Sequence, residues 1–177
     1  MKRLTGLVLT PRGFLDGELE LDDAGRIARV DGTPVGAGSA RESRLPKLLP
    51  GFIDLHVHGG GGRDVMEGGD AAVQVARLHA ARGTTALLAT TMTAPGPDLE
   101  AALAALGPAC ATRARGAARI LGVHLEGPYI NPGKLGAQPD FARAFDAQEL
   151  ARLDALAPIR LVTLAPEMEG HLQALEA

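Results

Sequence analysis

The chain has 177 residues, of which 46% are hydrophobic and 22% charged. Those proportions exclude a disordered tail and a membrane-spanning protein. The formal charge of −3 argues against a nucleic-acid partner, which needs a basic face to meet phosphates.

One Tyr, four Phe and no Trp stand beside 23 Gly and 12 Pro, so the core has to come from aliphatic residues between many turns. The single cysteine, Cys110, excludes an internal disulfide and a cysteine-based zinc site; no charged neighbour lowers its pKa, and it reads as packing. Met1-Lys2-Arg3-Leu4 opens like a leader, but Gly6, Pro11 and Arg12 break the apolar run before any cleavage site. No stretch approaches the roughly 18 apolar residues of a membrane span. The expectation is a cytoplasmic protein with no membrane partner.

The first 47 residues read as part of a small β domain. Leu4–Thr10, Gly17–Leu21 and Arg26–Val30 are strand-like, and Asp22-Asp23-Ala24-Gly25 signals a hairpin between the last two. Gly32–Glu42, rich in Gly, Pro and Ser, reads as an exposed connection. From residue 48 to 177 the rhythm changes. Four short apolar runs, Phe52–Val57, Thr84–Ala89, Ile120–His124 and Ile159–Leu164, alternate with helix-period stripes. The stripes are Ala72, Val75, Ala76 and Leu78; Leu99, Leu103 and Leu106; and Leu150, Leu153 and Leu156. A last helix is expected near Glu167, and Asp146 and Glu149 stand at capping-box spacing.

Such alternation means α/β structure, with parallel strands covered by helices. The runs start 32, 36 and 39 residues apart, close to the pitch of a (β/α) barrel, in which about 250 residues make eight units. Four units of an open doubly wound sheet fit the periodicity equally well.

Chemistry-bearing residues gather at the ends of the runs. His56 and His58 stand at i and i+2, the spacing that puts two side chains on one side of a strand, about 6.6 Å apart at their bases. Two imidazoles so placed can share a zinc or iron ion. A bare His-x-His is more often just a polar strand end; here Pro50-Gly51-Phe52-Ile53-Asp54 precedes it and four glycines, Gly59 to Gly62, follow. Asp54 could hold an imidazole's second nitrogen or be a buried, hydrogen-bonded carboxylate. The third run ends His124-Leu125-Glu126, again at period two, and an imidazole and a carboxylate sharing a strand tip suit a hard or borderline divalent cation. Beyond it, Gly127–Phe145 lacks periodicity, and long irregular segments in compact domains are usually functional. Lys134 and Gln138 on that segment are candidates for holding a polar or anionic substrate, although a solvated lysine is the plainer reading of Lys134. Capping accounts for Glu167 after Pro166, and His79 and His171 read as structural.

Pro50-Gly51-Phe52-Ile53-Asp54-Leu55-His56-Val57-His58-Gly59 resembles the first-strand signature of the amidohydrolase superfamily. Val123-His124-Leu125-Glu126-Gly127-Pro128-Tyr129-Ile130-Asn131-Pro132, Lys134-Leu135-Gly136-Ala137 and Thr163-Leu164-Ala165-Pro166-Glu167 resemble, in that order, the N-acetylglucosamine-6-phosphate deacetylases of that superfamily. The resemblance covers essentially the whole chain and about the first half of the family's length.

It implies a TIM-type (β/α) barrel of the amidohydrolase kind, seen here as its first four strand–helix units after part of a small β domain. It implies hydrolysis of N-acetylglucosamine 6-phosphate to glucosamine 6-phosphate and acetate, with one or two divalent cations, zinc or iron, and a homodimer. Carried over by position, Glu126 is a metal ligand. His56 and His58 match the pair that binds a second metal in binuclear members, and Gly136 and Ala137 lie near the sugar. Gln138 stands where the family usually has a sugar-contacting histidine; it hydrogen-bonds but cannot carry charge. The family's other two metal histidines and its catalytic aspartate lie on later strands, beyond residue 177, so the catalytic residue is unknown here and the chain alone is expected to be inactive. Two other readings remain: a different amidohydrolase acting on a ring amide, and a non-catalytic half-barrel that pairs with a second chain.

Overall fold

A computed structural model describes residues 1–172. The chain divides into two compact units, Met1–Pro50 and the residues from Gly51 onward. The first contains β1 (Lys2–Thr10), β2 (Gly13–Leu21), β3 (Ile27–Val35), α1 (Ala37–Glu42) and the two-residue β4 (Lys47–Leu48). They form one sheet in the order β3-β2-β1-β4. The first three strands are antiparallel, and β4 runs parallel to β1.

Two sequence expectations change here. Strand β2 starts at Gly13, because Pro11-Arg12 closes a tight hairpin in which Thr10 pairs with Gly13. Gly32–Glu42 is mostly exposed as expected but is not an irregular connection: residues 32–35 pair with Phe14–Gly17 as the end of β3, and α1 follows. Pro34 is tolerated because β3 is an edge strand. The pairing also needs opposed glycines, since a Cβ on Gly17 would fall 2.0 Å from the Asp31 carbonyl oxygen.

The second unit follows the sequence runs closely. In chain order it has β5 (Phe52–Val57), a small hairpin of β6 (Gly59–Gly60) and β7 (Arg63–Asp64), α2 (Ala71–Ala80), β8 (Thr84–Thr90) and α3 (Gly96–Ala111). Strand β9 (Arg119–Glu126), α4 (Ala147–Leu156) and β10 (Ile159–Thr163) complete it. The four long strands are parallel and lie in sequential order, β10-β9-β8-β5. This is the α/β architecture with a parallel sheet that the alternation implies.

The core joins Val75 and Ala76 of α2, Leu99, Leu103 and Leu106 of α3 and Leu153 of α4 to Leu87, Ala89, Val123 and Leu125 of the strands. Leu78 and Leu156, assigned to helix stripes by periodicity, are exposed instead. Continuous apolar strands suggested burial on both faces, yet Ile53, Leu55, Leu121 and Leu161 remain exposed. The expected helix does not begin at Glu167: residues 166–170 lie in turns and a bend, and a helical turn is seen only at His171 and Leu172; residues 173–177 lie outside the described residues. No described helix is long and apolar enough to cross a membrane.

Parallel strands bring all their C-terminal ends to one edge of the sheet. The tips of β5, β8, β9 and β10 therefore meet; β8, β9 and β10 end in Thr90, Glu126 and Thr163, and His56 and His58 flank Val57 at the end of β5.

Candidate metal centre

His56 lies near the end of β5, His58 just beyond it, and Glu126 closes β9. The structure brings the three together. The Nε2 atoms of the two histidines are 2.9 Å apart, and Glu126 Oε2 lies 3.2 Å from His56 Nε2 and 3.0 Å from His58 Nε2. Among the described residues no fourth His, Cys, Asp or Glu joins them.

The bonding of these atoms decides between an ion pair and a ligand set. Glu126 Oε2 is buried without a hydrogen bond of acceptable geometry, although two imidazole nitrogens lie within bonding distance. His58 Nδ1 is 3.1 Å from the Thr90 carbonyl oxygen. A carbonyl only accepts, so Nδ1 carries the proton, and in the neutral ring Nε2 turns its lone pair toward Glu126. His58 thus presents a lone pair to the cluster, while His56 Nε2, 2.9 Å from His58 Nε2, can donate or accept according to its tautomer. Ligands held about 2.0–2.2 Å from a cation and separated by roughly 90–110° stand about 2.9–3.4 Å apart, which the observed spacings match. Two nitrogens and a carboxylate oxygen suit zinc or ferrous iron, so the residues fit a divalent cation.

Strand geometry explains the convergence. Asp54 pairs with Leu87 and Val57 with Ala89, so β5 carries one more residue than β8 across this step. Such a bulge re-aims side chains at a sheet end. Asp54 itself accepts a hydrogen bond from the His56 backbone N–H at 3.1 Å, not from an imidazole; of its two sequence readings, imidazole partner or buried, hydrogen-bonded carboxylate, the second holds for the bond but not for the burial, since Asp54 is only half-buried.

His124 lies beneath the cluster and is buried. Its Nε2 is 2.8 Å from Thr163 Oγ1 and its Nδ1 3.4 Å from Thr90 Oγ1. The ring meets His56 edge-on, with centroids 4.9 Å apart. Burial first, and then the neighbouring His56, holds its pKa below the ordinary histidine range.

The segment after β9 is irregular apart from a short turn of helix at Pro132–Lys134. Gly136 and Ala137 are exposed on it, and so is Lys134; none of them joins the metal-type cluster. Gln138 is bound to the end of β8, with Oε1 accepting from the Thr93 N–H at 2.7 Å and Nε2 3.6 Å from Met92 Sδ. Gly127 is packed against the same turn: a Cβ there would meet Thr93 Oγ1 at 2.0 Å, with φ at +71°.

Two parts of this segment depart from the sequence reading. Glu149 does not complete a capping box. Asp146 caps α4 by accepting from the Gln148 N–H, while Glu149 turns inward. There it binds Arg143 through both oxygens, at 2.7 and 3.1 Å, and accepts from the Tyr129 hydroxyl at 3.1 Å. Arg143 also donates to the Ala94 carbonyl at 2.9 Å. Burial and then the Glu149 charge push the Tyr129 hydroxyl pKa well up. Arg143 and Tyr129 carry no motif of their own, and helix periodicity assigns Glu149 to the capped first turn.

Glu167 likewise holds the loop instead of a helix end. Asn131 Nδ2 donates to Glu167 Oε1 at 2.9 Å, and that bond, first among its causes, draws the carboxyl pKa down. A depressed carboxylate pKa stabilises the fold above the unfolded value, and this is lost as pH falls through the folded one. The expected result is a Glu167 titration midpoint below that of an ordinary glutamate, returning upward in Asn131→Ala, as read by carbonyl NMR. Equal midpoints in the two proteins would disprove the link.

The tips of this parallel sheet thus gather two histidines and a glutamate with the donor types and spacing of a divalent-cation site. Comparison with known proteins shows what the chain is similar to. N-acetylgalactosamine-6-phosphate deacetylase of Escherichia coli O157:H7 is 41% identical over 95% of the chain and 45% of its own length. N-acetylglucosamine-6-phosphate deacetylase of Bacillus subtilis (strain 168) is 34% identical over 90% of the chain and 42% of its own length. Among solved structures, N-acetyl-D-glucosamine-6-phosphate deacetylase of Mycobacterium smegmatis superposes with a TM-score of 0.77 at 33% identity, covering 99% of this chain and 50% of that one. The Thermotoga maritima N-acetylglucosamine-6-phosphate deacetylase superposes with a TM-score of 0.79 at 29% identity, covering 99% and 45%. No protein-family model matches the chain. Three of these four proteins carry the name that the motifs resemble and the E. coli one that of the galactosamine enzyme, and the chain spans about half the length of the curated relatives it matches.

Proposed function

We propose that this chain supplies the early strands of a metal-dependent deacetylase that removes the acetyl group from an N-acetylhexosamine 6-phosphate. The observation that carries the reading is the convergence of His56, His58 and Glu126 at the strand tips. The relatives' names and a solved M. smegmatis mutant in complex with N-acetyl-D-glucosamine-6-phosphate support the substrate class. On this reading the parallel sheet is the first part of a (β/α) barrel, with its mouth at the strand tips.

His56, His58 and Glu126 would hold a zinc or iron ion. Such an ion lowers the pKa of a bound water and polarises an amide carbonyl. The chain's own residues do the positioning. The Thr90 carbonyl fixes the tautomer of His58, and the loop from Gly127 carries Gly136, Ala137 and Gln138 along the same sheet edge. We assign those three to the sugar phosphate. Oε1 of Gln138 accepts from Thr93 and one of its N–H groups points at Met92 Sδ, which leaves the second N–H to donate to a hydroxyl or phosphate oxygen.

The first substrate reading is N-acetylglucosamine 6-phosphate. The galactosamine epimer is a second, favoured by the 41% identity to the E. coli enzyme. Acetate release from both sugars by the native gene product that carries these residues decides between them. Turnover of one or both, abolished by chelation and restored by zinc or iron, is the expected result. No release from either by the metal-loaded protein would overturn the proposal.

A further inference from the structure

We infer that Thr90, which belongs to none of the recognised motifs, is the positioning residue of the strand-tip centre and sets its affinity for metal. The inference rests on the reading of His56, His58 and Glu126 as metal ligands.

Thr90 is the last residue of β8 and is fully buried. It makes a bond to each neighbouring strand. Its hydroxyl accepts from the Val57 N–H of β5 at 2.9 Å and lies 3.4 Å from His124 Nδ1 of β9. Its carbonyl faces His58 Nδ1 at 3.1 Å. Val57 sits between the two histidine ligands, at the step where β5 slips register by one residue against β8. A bulge leaves a backbone group without its regular ladder position, and here the Thr90 hydroxyl takes up that N–H. The same hydroxyl then faces His124, two residues before Glu126 and bonded on its other side to Thr163 of β10. One side chain therefore ties the backbone that presents both histidines to the strand that presents the carboxylate. Outer partners of this kind orient metal ligands, and removing one typically costs about 10–100-fold in metal affinity.

Removing the hydroxyl should loosen the ligand set while leaving the ligands in place. Thr90→Val keeps the side chain's shape and the carbonyl but leaves the Val57 N–H without its acceptor. Thr90→Ser keeps the hydroxyl. Zinc titration by calorimetry, at a temperature where circular dichroism shows each protein folded, should give a loss of about 10–100-fold for Thr90→Val and less than about threefold for Thr90→Ser. Amide hydrogen exchange of the metal-free proteins supplies a second readout. The Val57 N–H, bonded to the hydroxyl, should be protected in the wild type and in Thr90→Ser and should exchange faster in Thr90→Val.

Wild-type-like zinc affinity in folded Thr90→Val would overturn the inference. A tenfold loss in folded Thr90→Ser would overturn it too, so the test survives a Thr90→Val that fails to fold. A wild-type chain that binds no zinc would refute the metal reading itself. Amide exchange would then decide the role of Thr90 separately, with unchanged protection of the Val57 N–H in Thr90→Val counting against it.

Discussion

Glu126→Gln is expected to weaken zinc binding by about 100-fold while leaving the metal-free fold as stable as before, or slightly more so. Structural zinc sites with four ligands release roughly 10–16 kcal/mol on binding, so one ligand carries about 3 kcal/mol, or about two decades in affinity. The substituted amide would keep the shape of the side chain but lose its charge, and its NH2 would compete for the space the cation needs. The effect on the metal-free fold follows from a different observation. Oε2 of Glu126 is buried, and no donor of proper geometry reaches it, so no structural bond is lost with the charge. A carboxylate oxygen shielded from water without a donor is costly, and neutralising this half-buried group relieves part of that cost.

Opposite movements of affinity and stability separate a ligand from a structural carboxylate, for which both would fall. Zinc calorimetry and thermal melting of the metal-free proteins check this, and unchanged affinity would remove Glu126 from the site. His56→Asn tests the number of centres. The resemblance assigns the histidine pair to a second metal, whereas the three donor atoms lie within 3.2 Å of one another. If they share a single ion, His56→Asn weakens the same binding step as Glu126→Gln, and the wild type shows one step only.

The second unit was more legible in the sequence than the first because its signals are redundant. Each of its long strands is an apolar run, and the helices between them carry stripes of their own. The antiparallel unit offered weaker cues. Gly32–Val35 has a loop's composition, yet it completes β3, because opposed glycines and an edge position remove the usual objections to Gly and Pro in a strand. At the strand tips, period-two spacing marked His56, His58 and Glu126 as candidates. Their convergence also needed the bulge in β5, which leaves no pattern in composition. Thr90 and Thr93 stayed hidden for a related reason: they act through hydroxyl and backbone groups that any threonine carries. Glu149 was misassigned because three-residue spacing from an Asp fits a capping box as well as an inward-facing ion pair. Only the position of Arg143, fixed by the fold, tells the two apart.

Arg143→Met is expected to cost about 2–4 kcal/mol and to release the segment that carries Gln138. Breaking a buried ion pair from one side costs about 3–5 kcal/mol, since the remaining charge has lost its partner; the guanidinium here keeps some solvent contact, which lowers the figure. Arg143 gives Glu149 two bonds, bonds the Ala94 carbonyl and receives the support of Tyr129 through the shared carboxylate. The substitution therefore removes a link from the loop to α4 and another to the stretch between β8 and α3. At about 2–4 °C per kcal/mol for a protein of this size, the melting temperature should fall by roughly 4–16 °C. Tyr129→Phe removes one hydrogen bond and should cost only about 1–2 kcal/mol. The double variant Arg143→Met with Glu149→Leu leaves no buried charge behind, and part of the loss should return. Limited proteolysis supplies the functional half of the test. Cleavage between Pro132 and Phe145 should speed up in Arg143→Met at a temperature where the protein is otherwise folded, while zinc affinity at the strand tips stays unchanged. Equal cleavage rates in variant and wild type would show that the ion pair stabilises α4 without holding the loop.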